Sequence, residues 1–179
     1  RSFHKKRKMT DNHLLLYRLA ELMFEHEQHI LPVDLLFDDT QIGDFVKSIQ
    51  IDSPYQQMLL DGVLTESVRE EKLFVSFTVE GYFHYVLGEV IYNQTEGLGA
   101  EALKNIVDTN KLKGANEAVE QCLIRDVPPG NLERLMWFID EGPDYLDICV
   151  KPLLECLKTH GSKNTLDKIL TNPTDNDWE

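Results

Sequence analysis

Residues 53–77 read SPYQQMLLDGVLTESVREEKLFVSF, and this stretch decides the fold. Ser53 followed by Pro54 marks a helix start, because a hydroxyl caps free N–H groups and proline fits the first turn. The helix runs to about Asp61, where Gly62 stops it. The period then changes from helical to alternating. Val63 to Val68 and Leu73 to Phe77 are short β-favouring runs separated by the charged Arg69-Glu70-Glu71-Lys72, so the spacing predicts a hairpin. In its second run Leu73, Val75 and Phe77 share one face.

Upstream, Leu15, Leu19, Leu22, Met23, His26 and Ile30 recur at three- and four-residue steps, which predicts an amphipathic helix over 13–30. Asp11 or Asn12 would cap it and Pro32 would end it. A second helix is expected over 39–50, with Ile42, Phe45, Val46 and Ile49 on one face. The order helix–helix–helix–strand–strand across 13–77 is that of a winged helix, with residues 69–72 as the wing tip. From Val79 the pattern is helical again to about Tyr92, with Tyr82, Phe83, Val86, Leu87, Val90 and Ile91 forming a wide apolar stripe.

Beyond Gly97 the signals are helical. Helices are expected over 98–108, 114–125, 131–141, 144–159 and 162–171, with Pro152 kinking the fourth or marking its true start. Gly114, Pro128-Pro129-Gly130, Gly142-Pro143 and Gly161 punctuate them at short intervals, as in stacked helical hairpins. The expected fold class is therefore mainly α: a winged-helix-like N-terminal subdomain with a small β-hairpin, then helical hairpins. The division is 1–12 basic terminus, 13–92 winged-helix-like subdomain with linking helix, 93–172 helical-hairpin array, and 173–179 polar tail.

Charge narrows the partners. The chain of 179 residues carries a formal −13, and residues 1–8 hold five cations (Arg1, Lys5, Lys6, Arg7, Lys8) with no acid, so the rest carries −18. A body that acidic repels a phosphate backbone. The expected third helix, PYQQMLLD, has no Lys or Arg, and the wing's Arg69 and Lys72 are offset by Glu70 and Glu71. Nucleic acid is accordingly not an expected partner, and a protein is. The rival reading is a winged-helix DNA-binding regulator using the basic N-terminus and the wing. No apolar run approaches ~20 residues, so no membrane span is expected. Cys122, Cys149 and Cys156 are odd in number and widely spaced, which argues against a disulfide framework and for a reducing, cytoplasmic setting. Asn93-Gln94-Thr95 matches a glycosylation acceptor by chance in such a setting. Opening on Arg1, the chain is expected to be a segment of a larger protein.

The stretch Gln57 to Leu64, then Phe74-Val75-Ser76-Phe77-Thr78, then Tyr82 to Leu87, resembles the winged-helix domain of signal-transduction ATPases of the NACHT and NB-ARC (STAND) type, just before their sensor repeats. In that family a helix ending in L-L-x-x-G-L-L leads to a strand and then to a Phe-Thr-His-Asp helix start. The resemblance covers about residues 13–92 and implies a module that packs against an ATPase core. Two departures limit it. No P-loop of the form G-x-x-x-x-G-K-[ST] occurs, and the family's nucleotide-reading histidine aligns with Val79, with Glu80 at the following acidic position. Valine cannot donate a hydrogen bond to phosphate, so nucleotide sensing through that position is not implied.

Motifs that bear chemistry fail on spacing. His26-Glu27-Gln28-His29 places its histidines three apart where a metalloprotease helix needs four, and His26 falls on the apolar stripe as a core-edge residue. Cys149 and Cys156 lie seven apart, on one face of a helix, without a histidine at ligand spacing, and read as buried apolar side chains. His84 and His160 show no pairing with a thiol. The acids Asp38-Asp39, Glu70-Glu71, Asp140-Glu141 and those from Asp175 to Glu179 fall in loops or helix ends as solvated surface. No catalytic, cofactor-binding or metal-ligating residue is singled out, and no cofactor is expected. Tyr82, Phe83, Tyr85 and Val86 are the candidates for a partner or interdomain contact, because aromatic residues cover nearly all sides of that helix. The expected function is a non-catalytic regulatory or protein-interaction segment.

Overall fold

The computed structural model describes residues 10–160; residues 1–8, the expected helix 162–171 and the polar tail lie outside that span. Helix α1 (Asp11–Glu25) starts where the Thr10 hydroxyl accepts a bond from the His13 N–H at 3.3 Å, so the cap is Thr10 rather than Asp11 or Asn12. It buries Leu15, Leu16, Leu19, Ala20, Leu22 and Met23. The helix ends short of residue 30 because Glu27 turns left-handed, at φ +53°. The Glu27 N–H then donates to the Phe24 carbonyl at 3.2 Å and the Gln28 N–H to Met23 at 2.9 Å, which closes the last turn as a Schellman motif. His26 is left exposed at the C-cap and not at a core edge.

Leu31 and Pro32 form β1 (Leu31–Pro32), a strand too short to show as a pattern. The helix expected over 39–50 is shorter, α3 (Gly43–Lys47), and an unexpected short helix, α2 (Val33–Phe37), precedes it. The connection between them has a physical cause. The Asp39 carboxylate accepts the N–H groups of Gln41 and Ile42 at 2.9 and 3.1 Å, which makes a turn. A Cβ at Gly43 would overlap the Phe37 carbonyl. Arg18 of α1 anchors this turn through Nε to Asp39 Oδ2 at 2.9 Å. Burial pushes the Asp39 carboxyl up, yet the two backbone N–H bonds and Arg18 hold it below its ordinary value.

Helix α4 (Pro54–Leu60) begins as read, with the Ser53 hydroxyl accepting the Gln56 N–H at 3.3 Å. It closes on Gly62, at φ +68°, in the same Schellman pattern. Strands β2 (Leu64–Arg69) and β3 (Lys72–Phe77) follow as the hairpin, joined by only Glu70 and Glu71. Both turn residues are left-handed, at φ +47° and +65°, as a two-residue turn matched to strand twist demands. The sheet is antiparallel in the order β1-β3-β2, with Leu31 opposite Val75 and Val68 opposite Leu73. Helices before the hairpin, and a first strand added to the outer side of β3, make the winged-helix-like arrangement.

Helix α5 (Glu80–Gln94) runs across the division between two compact units. Among the described residues the first unit extends to Val90 and includes Lys111–Gly114; the second comprises Ile91–Asn110 and everything from Ala115. Within the first, the exposed Lys113 pairs with Glu80 at 2.8 Å, and Gly114 lies so close to the His84 ring that a Cβ there would overlap it. The second unit holds α6 (Ala100–Thr109), α7 (Ala115–Asp126), α8 (Glu133–Glu141) and α9 (Leu146–His160), the last preceded by a 3-10 turn at Pro143–Tyr145. Hairpin α6/α7 stacks on hairpin α8/α9, with α6 against α8 and α7 against α9. Leu103, Val119, Cys122, Leu123, Leu135, Phe138 and Cys149 fill the interior. Helix α9 starts at Leu146 and continues through Pro152. Among the described residues no helix is long and apolar enough to cross a membrane.

Glutamate is a poor left-handed residue, so Glu27→Gly and Glu71→Gly are each expected to stabilise the fold by roughly 1 kcal/mol. Gly43→Ala should destabilise it by a similar amount or more. Thermal melts check both, and an unchanged or lower Tm for the two glycine variants would contradict the assigned turns.

Candidate functional site

The four residues on α5 that the sequence put forward divide between interior and surface. Phe83 and Val86 are 4% and 3% exposed, inside the first unit, while Tyr82 and Tyr85 are 41% and 49% exposed. The Phe77 ring meets Phe83 at 5.3 Å and Tyr82 at 6.1 Å between centroids. Val79 is exposed. A cavity of about 210 Å³ lies beside it, lined by His29, Ser76, Phe77, Thr78, Glu80, Phe83 and Lys113.

A better-built site occurs in the second unit, from residues the sequence reading passed over. Helix α7 carries an apolar stripe through Ala115, Ala118, Val119, Cys122 and Leu123, and the next position on that stripe is Asp126. Helix α8 likewise opens with Arg134 beside the buried Leu135. The Pro128-Pro129-Gly130 connection reverses the chain between them. Gly130 adopts φ +79°, and the Asn131 N–H donates to the Asp126 carbonyl at 3.0 Å. Asp126 and Arg134 therefore face each other inside the unit, 1% and 7% exposed. Arg134 donates from Nε to Asp126 Oδ2 at 2.7 Å and from Nη2 to Oδ1 at 2.9 Å, a fork-on-fork pair.

The third partner comes from the end of α5. Thr95 is buried, its hydroxyl donates to the Ile91 carbonyl at 2.8 Å, and it accepts Arg134 Nη1 at 3.0 Å. The Arg134 guanidinium also lies 5.6 Å from the centre of the Tyr92 ring. From Thr95 the chain turns through Gly97, at φ +77°, and enters α6 at Gly99 without a side-chain cap. These segments enclose a concave pocket of about 500 Å³, with Tyr92, Glu96, Leu98, Asp126, Arg134 and Trp137 among its lining, together with Glu133. That volume is in the range of small-ligand and side-chain sites. Trp137 already carries one cation, Lys104 Nζ at 5.6 Å, which is itself paired with Glu141 at 2.7 Å.

Cys122 is the nearest thiol. Burial pushes it up to about 11, which the opposing influence of Arg134 does not offset. Cys149 is likewise raised to about 11 by burial. A thiol so raised is protonated and weakly nucleophilic at neutral pH. Among the described residues no group of three or more His, Cys, Asp or Glu side chains converges to hold a metal ion. Asp126 and Arg134 are occupied with each other. What remains for a ligand is two aromatic rings, the Glu96 and Glu133 carboxylates, and backbone groups of the α5–α6 connection. The signal that could have found the site is a charge standing on an apolar stripe at the end of α7 and again at the start of α8. No protein-family model, curated protein or solved structure matches this chain.

The raised thiols fix a pH dependence. An unfolded chain ionises its cysteines near pH 8.5, whereas the folded chain holds Cys122 and Cys149 protonated to about 11. Their contribution to stability is therefore complete below pH ~8.5 and is lost as pH rises from there through about 11. Urea midpoints measured from pH 7.5 to 11 should fall along this limb, less steeply in Cys149→Ala. Thiol titration with a chromogenic disulfide at pH 8 should label Cys122 and Cys149 only on unfolding; prompt labelling of both in the native protein would contradict their placement.

Proposed function

We propose that this chain is a non-catalytic regulatory or docking segment whose winged-helix-like unit faces protein. The observation that carries this reading is the chemistry of the face on which a DNA-binding winged helix would read bases. Helix α4 has no basic residue, and the exposed side chains on and beside it and on the wing include Ile49, Ile51, Leu60 and Val68. Tyr55 points inward and donates its hydroxyl to Glu66 at 2.7 Å, tying α4 to β2. DNA binding draws most of its strength from cations on phosphates, and exposed aliphatic residues offer none. Such residues suit an interface with another polypeptide.

The resemblance to STAND-type ATPases supports a more specific role, that of the winged-helix module and the start of the sensor region in such an ATPase. The element order around α4, the hairpin and the start of α5 favours it. Val79 in place of histidine implies that the module does not read nucleotide there. Three free, buried cysteines suit a reducing, cytoplasmic compartment.

Two titrations test the reading. Magnesium-ATP in a calorimeter and a fluorescent duplex DNA followed by anisotropy, both at physiological salt, should give no binding. Tight ATP binding would overturn the non-catalytic assignment. Salt-sensitive DNA binding that disappears on removal of residues 1–8 would replace it with a DNA-binding regulator.

A further inference from the structure

We infer that the pocket lined by Tyr92, Glu96, Glu133 and Trp137 receives a cationic side chain, the guanidinium or ammonium group of a basic segment on a protein partner. This rests on the protein-partner reading above and names what that partner presents.

Four ionised side chains line the pocket: Glu96, Asp126, Glu133 and Arg134. Two of them cancel, since Arg134 forks onto Asp126 through both carboxylate oxygens. Glu96 and Glu133 form no hydrogen bond or ion pair among the described residues. The charge left over is therefore entirely negative and sits at the pocket. Glu133 gains from lying in the first turn of α8, but Glu96 belongs to no helix and has no such structural reason to be an acid.

The walls suit the same ligand. Tyr92 and Trp137 line the pocket, aromatic rings attract cations, and each of these two already lies 5.6 Å from one, Arg134 for Tyr92 and Lys104 for Trp137. A flat guanidinium or a compact ammonium can reach a carboxylate while its stem covers an aromatic ring. An anion would fit poorly. The uncapped start of α6 and Arg134 are its only attractions, and Arg134 already has both forks on Asp126 while Glu96 and Glu133 repel. The body of the chain is also acidic outside its first eight residues, which steers a basic partner toward it.

The test uses the full chain with Trp178→Phe, which leaves Trp137 as the sole tryptophan. Acetyl-Gly-Arg-Arg-Gly-amide is titrated against its emission at low salt, with acetyl-Gly-Glu-Glu-Gly-amide as the counter-probe. A saturable response to the arginine peptide is expected. It should weaken about tenfold in Glu96→Gln/Glu133→Gln, two exposed sites whose change leaves the fold intact, and should weaken further as salt rises. Glu117→Gln/Asp140→Asn removes the same charge from exposed positions outside the pocket and should change affinity less than twofold. No saturation, equal weakening by the two double variants, or preference for the glutamate peptide would overturn the inference. If the peptide fails while ATP and DNA also remain unbound, only the pocket assignment falls. Binding of ATP or DNA would remove the reading beneath it.

Discussion

The pairing of Arg134 with Asp126 inside the second unit is the interaction on which its organisation depends. Moving a carboxylate and a guanidinium out of water costs several kcal/mol per ion, and their attraction repays this only when the geometry is good and the spare hydrogen-bonding groups find partners. Here both conditions are met. The guanidinium forks onto both carboxylate oxygens and reaches Thr95, and the Thr95 hydroxyl is itself committed to the Ile91 carbonyl. The end of α5 is thereby held to the end of α7 and the start of α8 in one arrangement. The pocket inherits its shape from them. Because the pair neutralises itself, the electrostatics of the pocket fall to the two glutamates at its surface.

The first unit is organised by its chain reversals. Gly62 and Glu27 close two helices with the same hydrogen-bond pattern, one with glycine in the left-handed position and one without. The wing turns on two glutamates where asparagine and glycine would be most comfortable. Asp39, held by Arg18, makes the turn between α2 and α3. Helix α4 comes forward without a basic residue, and on the wing Arg69 and Lys72 stand beside Glu70 and Glu71. The proposal that this unit faces protein rather than DNA rests on that chemistry more than on its topology.

These features also explain which parts of the fold were legible in the sequence. The start of α4, its stop, the hairpin, α5 and the helices from Ala100 to His160 were readable because Ser-Pro, Gly and apolar periodicity are local signals. The end of α1 was not, since a left-handed glutamate carries no signature. Helix α2 was missed and α3 falls short of the expected 39–50, and the turn between them is held in part by Arg18, which is remote in sequence. Strand β1 has two residues and is defined only by pairing with β3. The aromatic residues of α5 cover nearly all sides of the helix in the sequence, which does not tell inside from outside; Phe83 and Val86 turn inward while Tyr82 and Tyr85 turn outward. Of the pocket, the glycines and prolines of its turns were visible. Its centre was not, because an isolated aspartate and arginine eight residues apart reveal nothing until the Pro128-Pro129-Gly130 reversal brings them together.

The most direct test of this account is a double-mutant cycle on the pair, with Arg134→Met, Asp126→Leu and their combination, unfolded in urea and followed through Trp137 in the Trp178→Phe background. Each single change should cost roughly 3–5 kcal/mol by leaving a buried charge alone, and the combination should cost much less than their sum. Additivity within about 0.5 kcal/mol, or single changes that scarcely matter, would contradict a buried pair that organises the unit.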